Sequence, residues 1–194
     1  MYNVSQDYMD ALTAPAQKYK LKLNIDGTEY PDSVVVGGSF TITNQCSESD
    51  IVQIGSVYCA ELKMTIASGV IERNTWNGAV IEASEGMEVS EDTWEYVPLG
   101  VFTVAEANHT DEGVQIVAYD NMVKFDKTFG LSTTNGSPYS ILRLLCNDCD
   151  VTLGMTQAQV ESLANGTQTI SLYSENDCET YRDVLYWLAQ TLAT

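Results

Sequence analysis

The chain has 194 residues, enough for one good-sized domain or one domain and part of another, and its 44% apolar content is sufficient to fill a core. Nine basic residues against 27 acidic ones leave a formal net charge of −18. Binding to nucleic acid phosphates or docking on an anionic membrane needs clustered Lys and Arg, so neither partner is expected. No Lys or Arg lies between Arg73 and Lys124, while ten acids do, among them Glu82, Glu85, Glu88, Glu91, Asp92 and Glu95. These carboxylates lack the alternating D-x-D-x-D-G spacing of a calcium loop and read first as a solvated acidic face.

The N-terminal residues lack both the basic flank and the apolar run of a secretion signal, and no stretch is long enough to span a bilayer, so synthesis in a cytoplasm without a secretion signal is expected. Residues 5 to 13 suit a short helix or arm that Pro15 ends. Leu21, Leu23 and Ile25 then alternate with Lys20, Lys22 and Asn24, and Asp26-Gly27 supplies a hairpin turn. Val34–Val36, Phe40–Thr43 and residues 60 to 66 continue the strand pattern. Leu62, Met64 and Ile66 face one way, and Glu61, Lys63 and Thr65 the other. Ala79, Ile81 and Ala83 repeat the alternation.

Residues 96 to 126 are the most specific stretch. Tyr96–Ala105 is rich in β-branched and aromatic residues, Asn108–Gly113 forms a polar turn, and Val114–Tyr119 is a return strand. Pro98 cannot donate to a ladder and belongs at an edge or strand start, whereas Gly100 permits a bulge or a close approach. Val97–Val104 is apolar on both faces apart from Thr103, which suits a strand covered on both sides. Asp120 stands where a helix N-cap belongs, ahead of Met122, Val123 and Phe125, with Met122 and Phe125 placed to plug the end of a barrel. Seven or eight short strands in roughly 110 residues predict an antiparallel sandwich or barrel.

Beyond Asp120 the pattern turns helical. Ser137 and Pro138 mark one helix start, with Ile141, Leu144 and Leu145 following. Thr156 and Gln159 form a capping box for a second helix, which Gly166 stops. Gln168–Tyr173 suits one strand. Asn176 and Glu179 suggest a further capping box for a helix with Tyr181, Val184, Leu185, Leu188 and Leu192 in a stripe. The fold class is therefore α+β, with residues 1–18 as an arm, 19–128 as a β-barrel or sandwich, and 129–194 as a mainly helical, mixed second domain that reads as cut from something longer.

No positive case for catalysis emerges. His109, the one histidine, lies in the polar turn, and no G-x-S-x-G, phosphate-loop, dinucleotide-binding or H-E-x-x-H motif occurs. A pair of carboxylates in a glycosidase arrangement stays open, because acids are plentiful and their separation is unreadable from sequence. Of the five cysteines, Cys146 and Cys149 have C-x-x-C form at a predicted helix end, without the further ligands a zinc site needs. Buried reduced thiols are the simpler account. No cofactor and no metal are expected.

Three motifs carry a resemblance. Val97-Pro98-Leu99-Gly100-Val101-Phe102-Thr103-Val104 resembles the PLG-x-[FY]-x-V strand of tail-associated baseplate hub proteins in long-tailed phages and prophages of Gram-positive bacteria. Ala118-Tyr119-Asp120-Asn121-Met122, followed by Lys124-Phe125-Asp126, is similar to their AYD-x-M-x-K-[FL] segment. Tyr181-Arg182-Asp183-Val184-Leu185 is similar to the helix start that follows. The resemblance implies a tail-tube-type barrel followed by a mixed α/β domain. It also implies a ring of three copies at the tail tip that meets the tube and distal tail proteins, and C-terminal parts for receptor binding or wall lysis beyond this stretch. A location in the virion tail follows from it, and the Glu82–Glu95 acids would then face the lumen or an interface, where they repel DNA in transit. The competing readings are a β-rich carbohydrate-binding or adhesin module and a fragment of a cell-wall hydrolase.

Overall fold

The computed structural model describes residues 2–45, 54–67, 76–130, 133–173 and 178–193. They divide into two compact units, residues 1–43 with 61–120 and residues 44–60 with 121–194. The division thus falls at Asp120 rather than after residue 128. The N-terminal arm belongs to the first unit, and residues 44–60 join the second.

The first unit begins with helix α1 (Gln6–Leu12) and contains strands β1 (Tyr19–Ile25), β2 (Thr28–Pro31), β3 (Thr41–Thr43), β4 (Glu61–Ala67), β5 (Val80–Ser90), β6 (Thr93–His109) and β7 (Gly113–Asp120). All pair antiparallel in one sheet of order β2-β1-β5-β6-β7-β4-β3. Asp26 and Gly27 both take positive φ between β1 and β2, the geometry of a tight two-residue hairpin. The alternation read from sequence sets the buried face. Leu23, Ile25, Leu62, Met64, Ile66, Ile81, Ala83, Phe102, Val104, Val114, Ile116 and Ala118 are all buried, and the register stacks Ile25, Ile81 and Phe102 side by side.

The two ends of the strand order are not hydrogen-bonded to each other, so the sheet is not a closed ladder. It is nevertheless rolled. Pro31 ends β2 at one edge, and Val35 bridges Ile66 of β4 at the other. Six strand spacings of about 4.8 Å would hold those edges roughly 29 Å apart in a flat sheet. The four-residue step between them spans at most about 14 Å. Phe40, just ahead of β3, accordingly lines a 220 Å³ cavity with Tyr19 and Leu21 of β1, Glu85 and Leu99.

The second unit holds a 3-10 segment (Asn121–Asp126), strand β8 (Thr133–Gly136), helices α2 (Pro138–Asp148) and α3 (Gln157–Glu161), strand β9 (Ile170–Tyr173) and helix α4 (Tyr181–Leu192); β8 and β9 form an antiparallel pair. The segment after Asp120 is therefore not an α-helix. Asp120 is the last residue of β7, opposite Phe102, and six residues with a β-branched centre suffice only for a 3-10 connector. Phe125 does not plug the first unit. It is buried in the second core with Ile141, Leu145, Val160, Val184 and Leu188, and Met122 packs against that cluster.

Ser137 caps α2, accepting from the Ser140 N–H with Pro138 in the first turn, and Thr156 with Gln159 closes a capping box on α3. That helix ends at Glu161, before Gly166. Gly166 is required instead for packing, since a Cβ there would lie 2.1 Å from the Val160 carbonyl oxygen. The box at the start of α4 is made by Thr180 and Asp183. Asn176, one half of the box expected from sequence, lies outside the described residues, as does Cys46.

Candidate functional site

The feature of the first unit that most resembles a working surface is the arm formed by β5 and β6. Glu91 and Asp92 make its turn, with Asp92 at φ 57°. β1 runs beside β5 from Ile81 to Met87, but β7 runs beside β6 only from Phe102 onward. Among the described residues, Thr93–Val101 therefore has a ladder partner on the β5 side alone. Pro98, Leu99 and Gly100 sit where the register shifts, Ser84 facing Pro98 and Ala83 facing Gly100, so that Leu99 is the extra residue of a bulge. Pro98 is thus inside a long strand, tolerated because the bulge and the missing outer neighbour remove the demand for its N–H. A Cβ on Gly100 would come 2.9 Å from the Phe102 ring, a close approach that lets that ring lie over the backbone.

The covering expected on both faces of Val97–Val104 is absent. Phe102 and Val104 are buried, but Leu99 is 39% exposed, Val101 44% and neighbouring Tyr96 40%. Tyr96 and Val101 lie on the face that carries Lys22 and Glu82, whereas Leu99 lines the cavity with Tyr19 and Leu21 on the other face.

The six acids do not share a face. Glu82 and Glu88 point to the side of the arm that carries Lys18, Lys20 and Lys22. Asn24 Nδ2 donates to Glu82 at 3.1 Å, and Lys18 Nζ lies 2.6 Å from Glu88. That lysine, with the Asp92 backbone N–H at 3.1 Å, holds the Glu88 carboxyl below its usual range, while Glu88 in turn raises Lys18. Glu85 and Glu95 lie on the opposite side, around Tyr8 of α1. Ser5 donates both its N–H and its hydroxyl to Glu95, which lowers that carboxyl as well. Glu91 and Asp92 occupy the tip. The set is spread along the arm rather than gathered, and among the described residues no three His, Cys, Asp or Glu side chains converge as a metal site would.

Lysines alternating along β1 staple it to the arm. Lys20 Nζ stands 4.1 Å over the Trp94 ring, Lys22 Nζ is 5.4 Å from the Tyr96 ring, and Lys22 also pairs with Glu29 at 2.7 Å. Tyr96 in turn covers Gly86, directly opposite it; a Cβ on that glycine would lie 2.6 Å from the ring. The alternation of Lys20, Lys22 and Asn24 is visible in the sequence, but its aromatic partners lie more than 70 residues away.

In the second unit two of the sequence motifs meet. Arg182, at the start of α4, donates through Nε and Nη2 to both oxygens of Asp126 at 2.5 and 2.9 Å, through Nη2 to the Met122 carbonyl at 3.0 Å, and through Nη1 to the Val57 carbonyl at 2.8 Å. Asp183 accepts from the Glu179 and Thr180 N–H groups and from the Thr180 hydroxyl. Tyr119 and Asp120, by contrast, end β7 in the first unit. A cavity of about 300 Å³ opens beside Arg182, lined also by Ser56, Tyr58, Asp183 and Tyr186, yet the guanidinium is already engaged by its own chain. Burial raises the thiols of Cys146 and Cys149, which are free and closed off in the core, a setting that suppresses the reactive thiolate.

No family model matches the chain, and no curated protein does. Among solved structures it is similar to the crystal structure of the 43 kDa tail protein of prophage MuSo2 from Shewanella oneidensis, with a TM-score of 0.52 and 12% identity over 90% of this chain. The match takes in 50% of the other protein, so this chain spans about half its length. At that identity the likeness is one of fold: an antiparallel sheet followed by a mixed helical unit, shared with a prophage tail protein. The neighbour comes from a Gram-negative host, so it lends nothing to a Gram-positive origin. Among the described residues no helix is long and apolar enough to cross a membrane.

Proposed function

We propose that this chain is a structural part of a phage or prophage tail, located in the virion, with no catalysis of its own. The observation that carries the reading is the fold likeness to a prophage tail protein across nine-tenths of the chain. The order of the PLG, AYD and RD motifs supports it, and so does the geometry of Arg182, which ties the second motif to the third.

In its finer form the role is that of a hub at the tail tip. The rolled sheet is a tail-tube-type barrel, three copies form a ring, and the ring joins tube and distal tail proteins while distal parts of the full product bind receptor or cut the wall. The half-covered β5–β6 arm, with exposed Tyr96, Leu99 and Val101, suits a surface that is completed in an assembly. A chain carrying −18 suits a DNA passage, because it repels phosphate. Deleting the gene from an inducible prophage and imaging the particles by electron microscopy tests the role. Tails without tips, or tubes of uncontrolled length, are expected. Normal, infectious particles would overturn it. Sedimentation of the full gene product tests the three-copy ring separately.

A further inference from the structure

We propose that residues 5–17 form a releasable strap across the β5–β6 arm, which opens as one unit while the seven-stranded sheet stays folded. This inference does not depend on the tail reading. α1 has seven residues, too few to hold a helix without tertiary support. Tyr8 is its only buried side chain, whereas Met9 and Leu12 are 49% and 40% exposed. The helix rests on β5 and is fastened at two points. At one end Ser5 both caps α1, accepting from the Tyr8 N–H at 3.1 Å, and donates twice to Glu95. At the other, the Glu88 N–H donates to the Lys18 carbonyl at 3.1 Å beside the Lys18–Glu88 ion pair. Between the fastenings lie Pro15 and a turn closed by Gln17 on the Leu12 carbonyl.

The cap and the clamp share one serine, so losing the Glu95 contact loosens the helix start at the same moment. Opening would uncover the seat of Tyr8, the face carrying Glu85, Met87 and Glu95. Met87 is 1% exposed while the strap is closed. Such a low-stability segment lying over a buried patch is a device for presenting that patch on demand.

Two site-resolved measurements on the whole chain test the proposal. In native-state hydrogen exchange the amides of Tyr8, Met9 and Thr13 should exchange at least about 100-fold faster than those of Ile81 and Ala83 in β5. Glu95→Ala should speed the α1 amides by about tenfold further and leave β5 unchanged. In dilute peroxide the same variant should oxidise at Met87 faster than the parent, with Met64, buried in β4, as the unchanged control. Equal protection of α1 and β5, or α1 exchange and Met87 oxidation both indifferent to Glu95→Ala, would overturn the strap.

Discussion

Each of the two units is held together by the same kinds of charged and aromatic groups, placed in opposite surroundings. On the β5–β6 arm the exposed Lys18 and Lys20 and the half-exposed Lys22 reach partly covered Glu88 and Trp94 and exposed Tyr96, so that water competes at the lysine end of each contact. At the head of α4, Arg182 and Tyr181 make comparable contacts from within the second core or at its rim, where an abandoned partner has nowhere else to turn. The same chemistry should therefore matter severalfold more in the second unit, and four substitutions or titrations probe that contrast in decreasing order.

Arg182→Leu should be the most damaging. It leaves the Val57 and Met122 carbonyls and the Asp126 carboxylate without their donor, for a loss of about 3 kcal/mol, discounted because Asp126 is half exposed. Chemical denaturation followed through Trp187, in the second unit, should show the shift. An unchanged midpoint would mean that the clamp is ornamental and the contrast false.

Tyr181 gives the next largest effect, and a pH signature. Burial, reinforced by its hydrogen bond to Asp148 at 2.9 Å, pushes its hydroxyl from 10.0 up to about 12. The folded state keeps the proton that the unfolded chain gives up first. The stabilisation is thus fully present below pH 10 and is lost as pH rises from 10 to about 12. A rise of that size corresponds to roughly 2 to 3 kcal/mol. Stability measured across that range should fall more steeply for the parent than for Tyr181→Phe, which has no proton to lose.

How much of this is legible in the sequence follows from how local each feature is. The strands of the first unit, the Asp26-Gly27 turn, Ser137 and the Thr156–Gln159 box depend on neighbours within a few residues, and their patterns stand in the sequence. Gly100 can be assigned to a bulge because bulges have local composition. The pattern sends Met122 and Phe125 to the wrong core because an apolar residue just past a strand has two cores within reach, and only long-range packing chooses. Pro98 reads as an edge or strand-start residue, and the pairing makes it an edge: it lies inside β6 but in the part that β7 does not flank, a choice that composition alone does not make. The Arg182 clamp draws on Val57, Met122 and Asp126, separated by up to 125 residues, and no periodicity encodes that. Ser5 and Glu95, 90 residues apart, are hidden for the same reason.

Thr180→Ala tests the cap that sequence inspection places four residues too early. Its hydroxyl accepts from the Asp183 N–H at 3.3 Å and donates to the Asp183 carboxylate at 2.9 Å, so the box loses one of its two arms. A loss of about 1 kcal/mol is expected by thermal unfolding. Asp183→Asn, which keeps an acceptor for the Thr180 N–H, should cost less. If the two rank the other way, charge at the helix start outweighs the cap.

The smallest effect should come from the arm. Lys20→Met keeps the aliphatic cover over Trp94 but removes the cation 4.1 Å above the ring, which at an exposed site is worth about 0.5 to 1 kcal/mol at most. Because Lys20 is one of only nine basic residues in a chain carrying −18, the substitution also raises the net repulsion, and that part is screened by salt. The two contributions separate on one plot. Added salt should shrink the difference between Lys20→Met and the parent if it is mainly long-range charge, and leave it unchanged if it is the ring contact. A loss as large as that of Arg182→Leu at any salt concentration would break the comparison, since it would mean that the open arm is held as rigidly as the second core.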